Sequence, residues 1–298
     1  AFQSNTLQFV AINVTFIDLN YKVFMYYDST GSIKAENKKL SINGKHISIF
    51  QEQDSANITW GKAGAEYVES TGVFTTLEKG GAQSKGESKG VVISAPSCLG
   101  LNHEKYNSLK IVSNASCATS YLATYCVIHD DFSIMKGLMT TADVITATKM
   151  ALEGSSRNWH NGHGTAQNSI CASTNMTKAV GKVIPELNQK LTGMIFIPSP
   201  SNMSAMDLNS HLEKVAKYND IKKVMKQASE DPLKCILDYS EVQFVSCDFS
   251  SDTLSSSFDS GAATAHNDHF AKPIPWCDNE FGYRNRVLDL QGNIITKS

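Results

Sequence analysis

Short apolar runs, each closed by Gly, Ser, Pro or Asn, recur through the first third of the chain. Leu7 to Asn13 (LQFVAIN), Tyr67 to Ser70, Gly90 to Ala95 and Ile111 to Asn114 read as buried strands. Apolar strands separated by mixed segments predict an α/β sheet covered on both faces. Lys79 to Lys89, rich in Gly, Ser and Lys, predicts a surface loop. The pattern then turns helical from Cys117 to Asp131, with Ser116 as N-cap and Leu122, Cys126, Val127 and Ile128 on the apolar face. Ile134 to Thr141, Leu191 to Phe196, Met203 to Leu212 and Val242 to Asp248 predict longer strands of a second sheet. Ile221, Val224, Met225 and Ala228 follow the i, i+3, i+4, i+7 spacing of an amphipathic helix, opened by Asn219 or Asp220 and closed by Pro232. A last helix is expected from near Asn279, through Phe281, Arg284, Val287 and Leu288. No internal repeat is visible. The boundary between a first α/β half and a second α+β half is expected near Asn114 to Ser116.

Composition narrows this picture. The 298 residues correspond to about two domains. With 41% hydrophobic and 19% charged residues, disorder, collagen and coiled rods are excluded. A net charge of -2 lacks the basic excess of a dedicated nucleic-acid binder. Seven cysteines are spread without a C-x-x-C pair, which fits cytosolic thiols better than disulfides or a zinc knuckle. No metal site is expected. No apolar run approaches the ~20 residues of a membrane span, and Ala1 to Thr6 carry no signal-peptide pattern. The expected location is cytoplasmic.

Chemistry concentrates at Ser113-Asn114-Ala115-Ser116-Cys117-Ala118-Thr119, where a strand ends, a polar turn follows and a cysteine opens the predicted helix. Helix N-terminal amides favour the thiolate, which suits a nucleophile. A small buried thiol is the alternative that the residues alone leave open.

The run SNASCATS resembles the catalytic-cysteine motif of phosphorylating glyceraldehyde-3-phosphate dehydrogenase, in its animal glycolytic form. Collinear matches continue through FIDLNY (Phe16 to Tyr21), ESTGVFTT (Glu69 to Thr76), ISAPS (Ile93 to Ser97), NHEKY (Asn102 to Tyr106), GLMTT (Gly137 to Thr141), KAVGKVIPELN (Lys178 to Asn188), LTGM (Leu191 to Met194), AKYNDIKKV (Ala216 to Val224) and DNEFGYRNRV (Asp278 to Val287). The resemblance implies the remnant of a doubly wound (Rossmann) NAD-binding domain over residues 1–115. An α+β catalytic domain with a mixed or antiparallel sheet follows over 116–278, and 279–298 form a C-terminal helix that returns to the first domain. It also implies a homotetramer. In the family reaction a cysteine thiolate attacks the aldehyde, the thiohemiacetal passes hydride to NAD, and inorganic phosphate releases the acyl group as 1,3-bisphosphoglycerate. That chemistry needs a nucleophile, an adjacent imidazole, anion sites for two phosphates and a bound nicotinamide.

By the same resemblance, Cys117 stands at the nucleophile position. Ser116, Thr119, Thr146 and Thr174 match phosphate-binding positions. The catalytic imidazole does not survive, because Asp143 occupies the histidine position after GLMTT. With a reference pKa of ~3.9, an aspartate would repel a thiolate and cannot serve as the proton donor. His129 lies about 18 Å along the predicted helix from Cys117, out of reach. The arginine that clamps substrate phosphate is replaced by Ile197, and Asn175-Met176-Thr177 replaces Gly-Ala-Ala in the phosphate loop.

The cofactor site departs furthest. The G-x-G-x-x-G turn is absent, and residue 1 corresponds to the end of the family's first helix. The acidic residue that would hold the ribose reads Val14, and an arginine near Gln51-Glu52 reads Gln53. Thr71, Ser94 and Asn279 persist as peripheral NAD contacts. Internal gaps are expected near Thr30-Gly31 and Cys98-Leu99. An N-terminally truncated copy is the expectation, and loss of a central first strand would leave two strands facing a gap. The expected reading is a family member with weak or absent dehydrogenase activity. Its alternatives are a non-catalytic interaction protein that joins intact family tetramers, or a decayed copy without function. Expected partners are the phosphorylated substrate, inorganic phosphate, and copies of itself or homologues in a mixed tetramer, with no membrane and no dedicated nucleic acid.

Overall fold

The computed structural model describes residues 7–15, 33–36, 39–70, 81–93, 111–114, 121–143, 168–173, 176–197, 203–250, 252–278 and 280–297. The chain divides into two compact units. One comprises residues 1–99, 103–114 and 287–298, and the other residues 100–102 and 115–286.

The first unit holds two separate sheets. Strands β1 (Ala11–Asn13), β2 (Ile33–Glu36), β3 (Lys39–Ile42) and β4 (Lys45–Phe50) form one in the order β1-β4-β3-β2, with β1 parallel to β4. The turn between β3 and β4 is Asn43-Gly44, with φ of 49° and 78°, the left-handed pair that a two-residue hairpin requires. Strands β5 (Tyr67–Ser70), β6 (Gly90–Ile93) and β7 (Ile111–Ser113) form a second, wholly parallel sheet. β6 is buried along its whole length, as expected for a parallel strand covered on both faces. Ile33, Leu40, Ile42 and Ile47 make one apolar cluster, against which Phe9, Ile12 and Ile49 pack. Ile58, Trp60 and Val68 make another, with Ala11, Phe50 and Ala65.

The second unit is built on a nine-stranded mixed sheet. Its strands are β8 (Ile134–Ala142), β9 (Ile170–Ser173), β10 (Leu191–Ile197), β11 (Met203–Leu212), β12 (Leu237–Ser240), β13 (Ser256–Asp259), β14 (Thr264–Asn267), β15 (Phe270–Lys272) and β16 (Pro275–Asp278). The main order is β12-β13-β16-β11-β8-β10-β9, with the β14–β15 hairpin joined to β11. β8 pairs parallel with β10 and antiparallel with β11. One face carries helices α1 (Leu122–Phe132) and α3 (Tyr218–Glu230), and α2 (Met176–Val183) packs beside β10. α4 (Phe281–Lys297) follows β16, and Asp278 caps it by accepting from the N–H groups of Glu280 and Phe281, each at 2.8 Å. The mixed α/β class expected from the sequence is the class observed.

Several sequence expectations change. The strand expected from Leu7 is ordered as a strand only at Ala11–Asn13, and these residues are half-buried. The stretch read as a surface loop holds a helical turn at 81–83 and a 3₁₀ turn at Ser84–Gly86. Gln83 is buried there because its Oε1 accepts the Trp60 indole N–H at 2.9 Å. α1 is described from Leu122, with Tyr121 before it in helical backbone, and the expected opening at Cys117 with its cap Ser116 lies outside the described residues. Tyr121 is 1% exposed and makes no side-chain capping bond. α3 opens at the cap Lys217, ahead of the expected Asn219 or Asp220, and Asp220 lies inside it, accepting from the Lys217 N–H at 3.2 Å. Val242 to Asp248 is a loop leading into a 3₁₀ turn, Ser246–Phe249. The Val245 N–H donates to the Asp248 carboxylate at 2.9 Å and Val242 N–H to Ser240 Oγ at 3.2 Å, local bonds that compete with a strand ladder.

Candidate functional site

The covered face of the second sheet supplies the described part of the site. Met206, Leu208, Ser210 and Leu212 of β11 are buried on that face, opposite Thr141 and Met139 of β8. At one end of the same face β8 runs out at Ala142 and β10 at Ile197, while β11 begins at Met203. The register sets Ala142 opposite both Phe196 and Ala205. Three residues singled out by chemistry or by contact therefore meet at the ends of three adjacent strands.

Asp143 directly follows β8 and is half-buried. Its N–H donates to the Phe196 carbonyl at 2.7 Å, which extends the β8–β10 ladder by one bond. Its Oδ1 accepts from Ser204 Oγ at 2.7 Å, a charge-assisted geometry. Ser204 is 1% exposed. Ile197, at the end of β10, is fully buried. The arrangement is an apolar wall beside a carboxylate that accepts one hydroxyl. It can hold negative charge and accept hydrogen bonds, and it brings no cation to a substrate phosphate.

Of the residues chosen from the sequence, the structure brings Asp143 and Ile197 together. Cys117, Ser116, Thr119, Thr146, Thr174, Asn175, Thr71, Ser94 and Asn279 lie outside the described residues. Ser204 was not foreseen. It lies 61 positions from Asp143, and its sequence context, a strand beginning Met203-Ser204, carries no signal of its own.

The end of β1 tests the fit of the dinucleotide that the resemblance implies. Val14 stands where a carboxylate would accept the ribose hydroxyls, and its N–H is already spent on the Phe50 carbonyl at 3.0 Å. Asn13 also faces inward to the chain, since its Nδ2 donates to the Glu52 carbonyl at 3.1 Å and its Oδ1 accepts the Glu52 N–H at 3.0 Å. Neither residue at this strand end offers a carboxylate to a ribose, so the described residues here lack the acidic partner that the resemblance implies.

An open cavity of about 810 Å³ lies elsewhere, lined by Met135, His211, Leu212, His269 and Phe270 among others. These residues sit at the far end of β11 from Ser204, so the cavity is separate from the Asp143 site. Among the described residues no group of three or more His, Cys, Asp or Glu could hold a metal ion. Among them too, no helix is long and apolar enough to cross a membrane.

Comparison with known proteins agrees with the motifs. Residues 116–279 match the description "Glyceraldehyde 3-phosphate dehydrogenase, C-terminal domain" and residues 1–77 match "Glyceraldehyde 3-phosphate dehydrogenase, NAD binding domain". The chain is 55% identical over 314 residues to the glyceraldehyde-3-phosphate dehydrogenase of Danio rerio, covering 100% of this chain and 94% of that one. It is 58% identical over 343 residues to the muscle glyceraldehyde-3-phosphate dehydrogenase of Jaculus orientalis, with the same coverages. Both alignments are longer than the chain itself, so some positions of the relatives have no counterpart here. The enzyme of Glossina morsitans morsitans is 53% identical over 298 residues, covering 94% of this chain and 89% of its own length. With a catalytic-domain match over more than half of its length and relatives of this identity along nearly all of it, the chain belongs to the glyceraldehyde-3-phosphate dehydrogenase family, the NAD-dependent oxidoreductases of glycolysis.

Proposed function

We propose that this chain is a catalytically impaired member of its family, whose reaction is the oxidative phosphorylation of D-glyceraldehyde 3-phosphate through a cysteine thioester. In this reading residues 1–115 are the dinucleotide-binding part, 116–278 the catalytic part and 279–298 the returning helix. Cys117 is the nucleophile, with Ser116, Thr119, Thr146, Thr174 and Asn175 around the phosphates and Thr71, Ser94 and Asn279 at the cofactor's edge. The observation that carries the proposal is the Asp143–Ser204 hydrogen bond beside the buried Ile197. A carboxylate held by a hydroxyl stands where the family needs an imidazole, and an aliphatic chain stands where it needs a guanidinium. Loss of a general acid/base costs a factor of about 100 to 10,000 in rate. Loss of charge-assisted phosphate bonds, at about 1.5–3 kcal/mol each, weakens substrate binding by a further factor of at least ~10. Given substrate, phosphate and NAD, the purified chain should produce reduced cofactor, read by its absorbance, at least ~100-fold more slowly than the Danio rerio relative. Comparable turnover would refute the proposal.

A second reading, a subunit that associates with copies of itself or with intact homologues, is favoured by one specific observation. Among the described residues nothing covers the other face of the nine-stranded sheet at its centre, and Leu138, Met194 and Phe196 on β8 and β10 are 37–45% exposed there. Cytoplasmic residence goes with both readings, supported by Cys126, Cys171, Cys235, Cys247 and Cys277, none of which is in a disulfide among the described residues.

A further inference from the structure

β8 carries one residue too many at its start. Leu212 of β11 lies opposite Ile134 and His211 lies opposite Lys136, so Met135 has no partner in the register. A bulge of this kind lets a side chain leave the alternation of its strand. Ile134 is buried in the core, whereas Met135 and Lys136 after it are both exposed. The β14–β15 hairpin has the same device, since its register slips between Ala265 and Asn267. The open cavity at this end of β11 is lined by Met135 from the first bulge, by His211, and by His269 from the turn that follows the second. The three come from separate segments and carry no spacing motif.

The two imidazoles are neighbours, with ring centres 6.3 Å apart and planes inclined by 17°. They are held differently. His269 is anchored twice: its N–H donates to Asn267 Oδ1 at 2.9 Å, and its Nδ1 lies 3.1 Å from the Leu212 carbonyl oxygen. That oxygen can only accept, so Nδ1 carries the proton and a neutral His269 presents its lone pair at Nε2. Histidines that ligate metals are tied in this way through their second nitrogen. The His211 ring has no hydrogen-bond partner among the described residues, so it can turn about its side-chain bonds. Metal–imidazole bonds are about 2 Å long, so one ion can join two imidazoles whose centres are about 6 Å apart. Met135 adds an unbranched, adaptable thioether.

We propose that Met135, His211 and His269 bind one monovalent copper ion. The donor set selects the ion. Imidazoles suit several transition metals, but a thioether favours copper(I) and offers little to a hard cation. Glu213 and Asp268 also line the cavity, yet among the described residues no carboxylate joins the two histidines in a group that could hold a metal. The ligands are therefore the three neutral ones. Lys136, opposite His211, brings a positive charge that opposes a divalent ion more than a monovalent one.

The test uses the full chain with isotope-labelled methionine methyl groups. Its accessible thiols, among them Cys171, Cys235 and Cys247, are first alkylated, because thiolates compete for the ion. Copper(I) is added without oxygen as its acetonitrile complex, and the Met135 methyl signal is identified by its loss in Met135→Leu. The expected result is a shift of that signal that saturates at one ion per chain, while zinc(II) at the same concentration leaves it in place. His211→Gln and His269→Gln should each weaken binding at least ~10-fold, with unchanged far-ultraviolet circular dichroism because both side chains are exposed. Met135→Leu, close in volume, should weaken it likewise in competition with a chromophoric copper(I) chelator. Four results would overturn the proposal. They are an unshifted Met135 signal, a zinc(II) shift as large as that of copper(I), equal affinity in either histidine variant, or equal affinity in Met135→Leu. Neither substrate nor dinucleotide is present, so the outcome is independent of the dehydrogenase reading.

Discussion

Asp143 is held from two directions, through its N–H to Phe196 and through its carboxylate from the Ser204 hydroxyl. A hydrogen bond to an ionised group is worth about 1.5–3 kcal/mol, and Ser204 is too buried for water to replace the lost donor freely. Ser204→Ala should therefore lower stability by roughly that amount, read as a lower urea midpoint with unchanged slope. In an Asp143→Ala background the same change should cost much less, because its partner is gone; an equal cost in both backgrounds would show that the two residues do not cooperate. The two ends of this bond were not equally legible. Asp143 and Ile197 stand out because each interrupts a collinear motif, GLMTT-x-x and the run after LTGM. Ser204 interrupts nothing, and only the antiparallel register that sets Ala205 opposite Ala142 brings its hydroxyl to the carboxylate.

The attachment of α1 to the sheet depends on a phenol. Tyr125 is 1% exposed, and its hydroxyl donates to Met206 Sδ on β11 at 3.0 Å. Burial, and secondarily the charge of Asp207, pushes its ionisation well above the usual tyrosine range. Tyr218 at the start of α3 is pushed up to about 12 by burial and by its neighbours Tyr239 and Asp259. Below about pH 10 these phenols are neutral in folded and unfolded chains alike, and they add no pH dependence. Above it the unfolded chain loses the protons first, so stability should fall as pH rises from about 10 to about 12. Urea midpoints should be level from about pH 8 to 10 and then decline, and Tyr125→Phe should reduce the decline; an unaltered decline in that variant would remove Tyr125 from the account. Elements were legible from sequence where one force dominates. β6 and β11 are runs whose burial follows their apolar pattern, and β11 has the bounds that pattern gives. Val242 to Asp248 has a similar pattern, yet the Asp248 and Ser240 side chains capture its amides, and Val242 and Val245 end 67% and 64% exposed. The β3–β4 hairpin went unread although Asn43-Gly44 carries the strongest short-range turn signal.

For the molecule as a whole, the face of the nine-stranded sheet that no described residue covers at its centre is a departure from self-sufficiency in the second unit. Its centre is apolar, with Leu138 on β8 beside Met194 and Phe196 on β10, and exposed Cys171 on β9 directly opposite Phe196. Charge is held to one side, where Lys272 pairs with Asp207 at 3.0 Å and Lys136 lies opposite His211. An apolar centre with a polar margin is the composition of an interface, and a two-fold axis would set the same patch against itself. Such a contact has to bury at least ~1,000 Å² in total to be stable, which the three exposed side chains alone cannot supply, so neighbouring Thr192, Thr140 and Asn209 must be covered with them. A glutamate at the centre would then be buried facing its own copy, and like charges in that position oppose association strongly. In sedimentation at about 10 μM the parent chain should run as an oligomer and the double variant Met194→Glu, Phe196→Glu as a smaller species, with far-ultraviolet circular dichroism unchanged because both positions already face solvent in the single chain. A parent chain that sediments as a monomer, or a variant that associates equally well, would show that this face is covered by something other than a second copy.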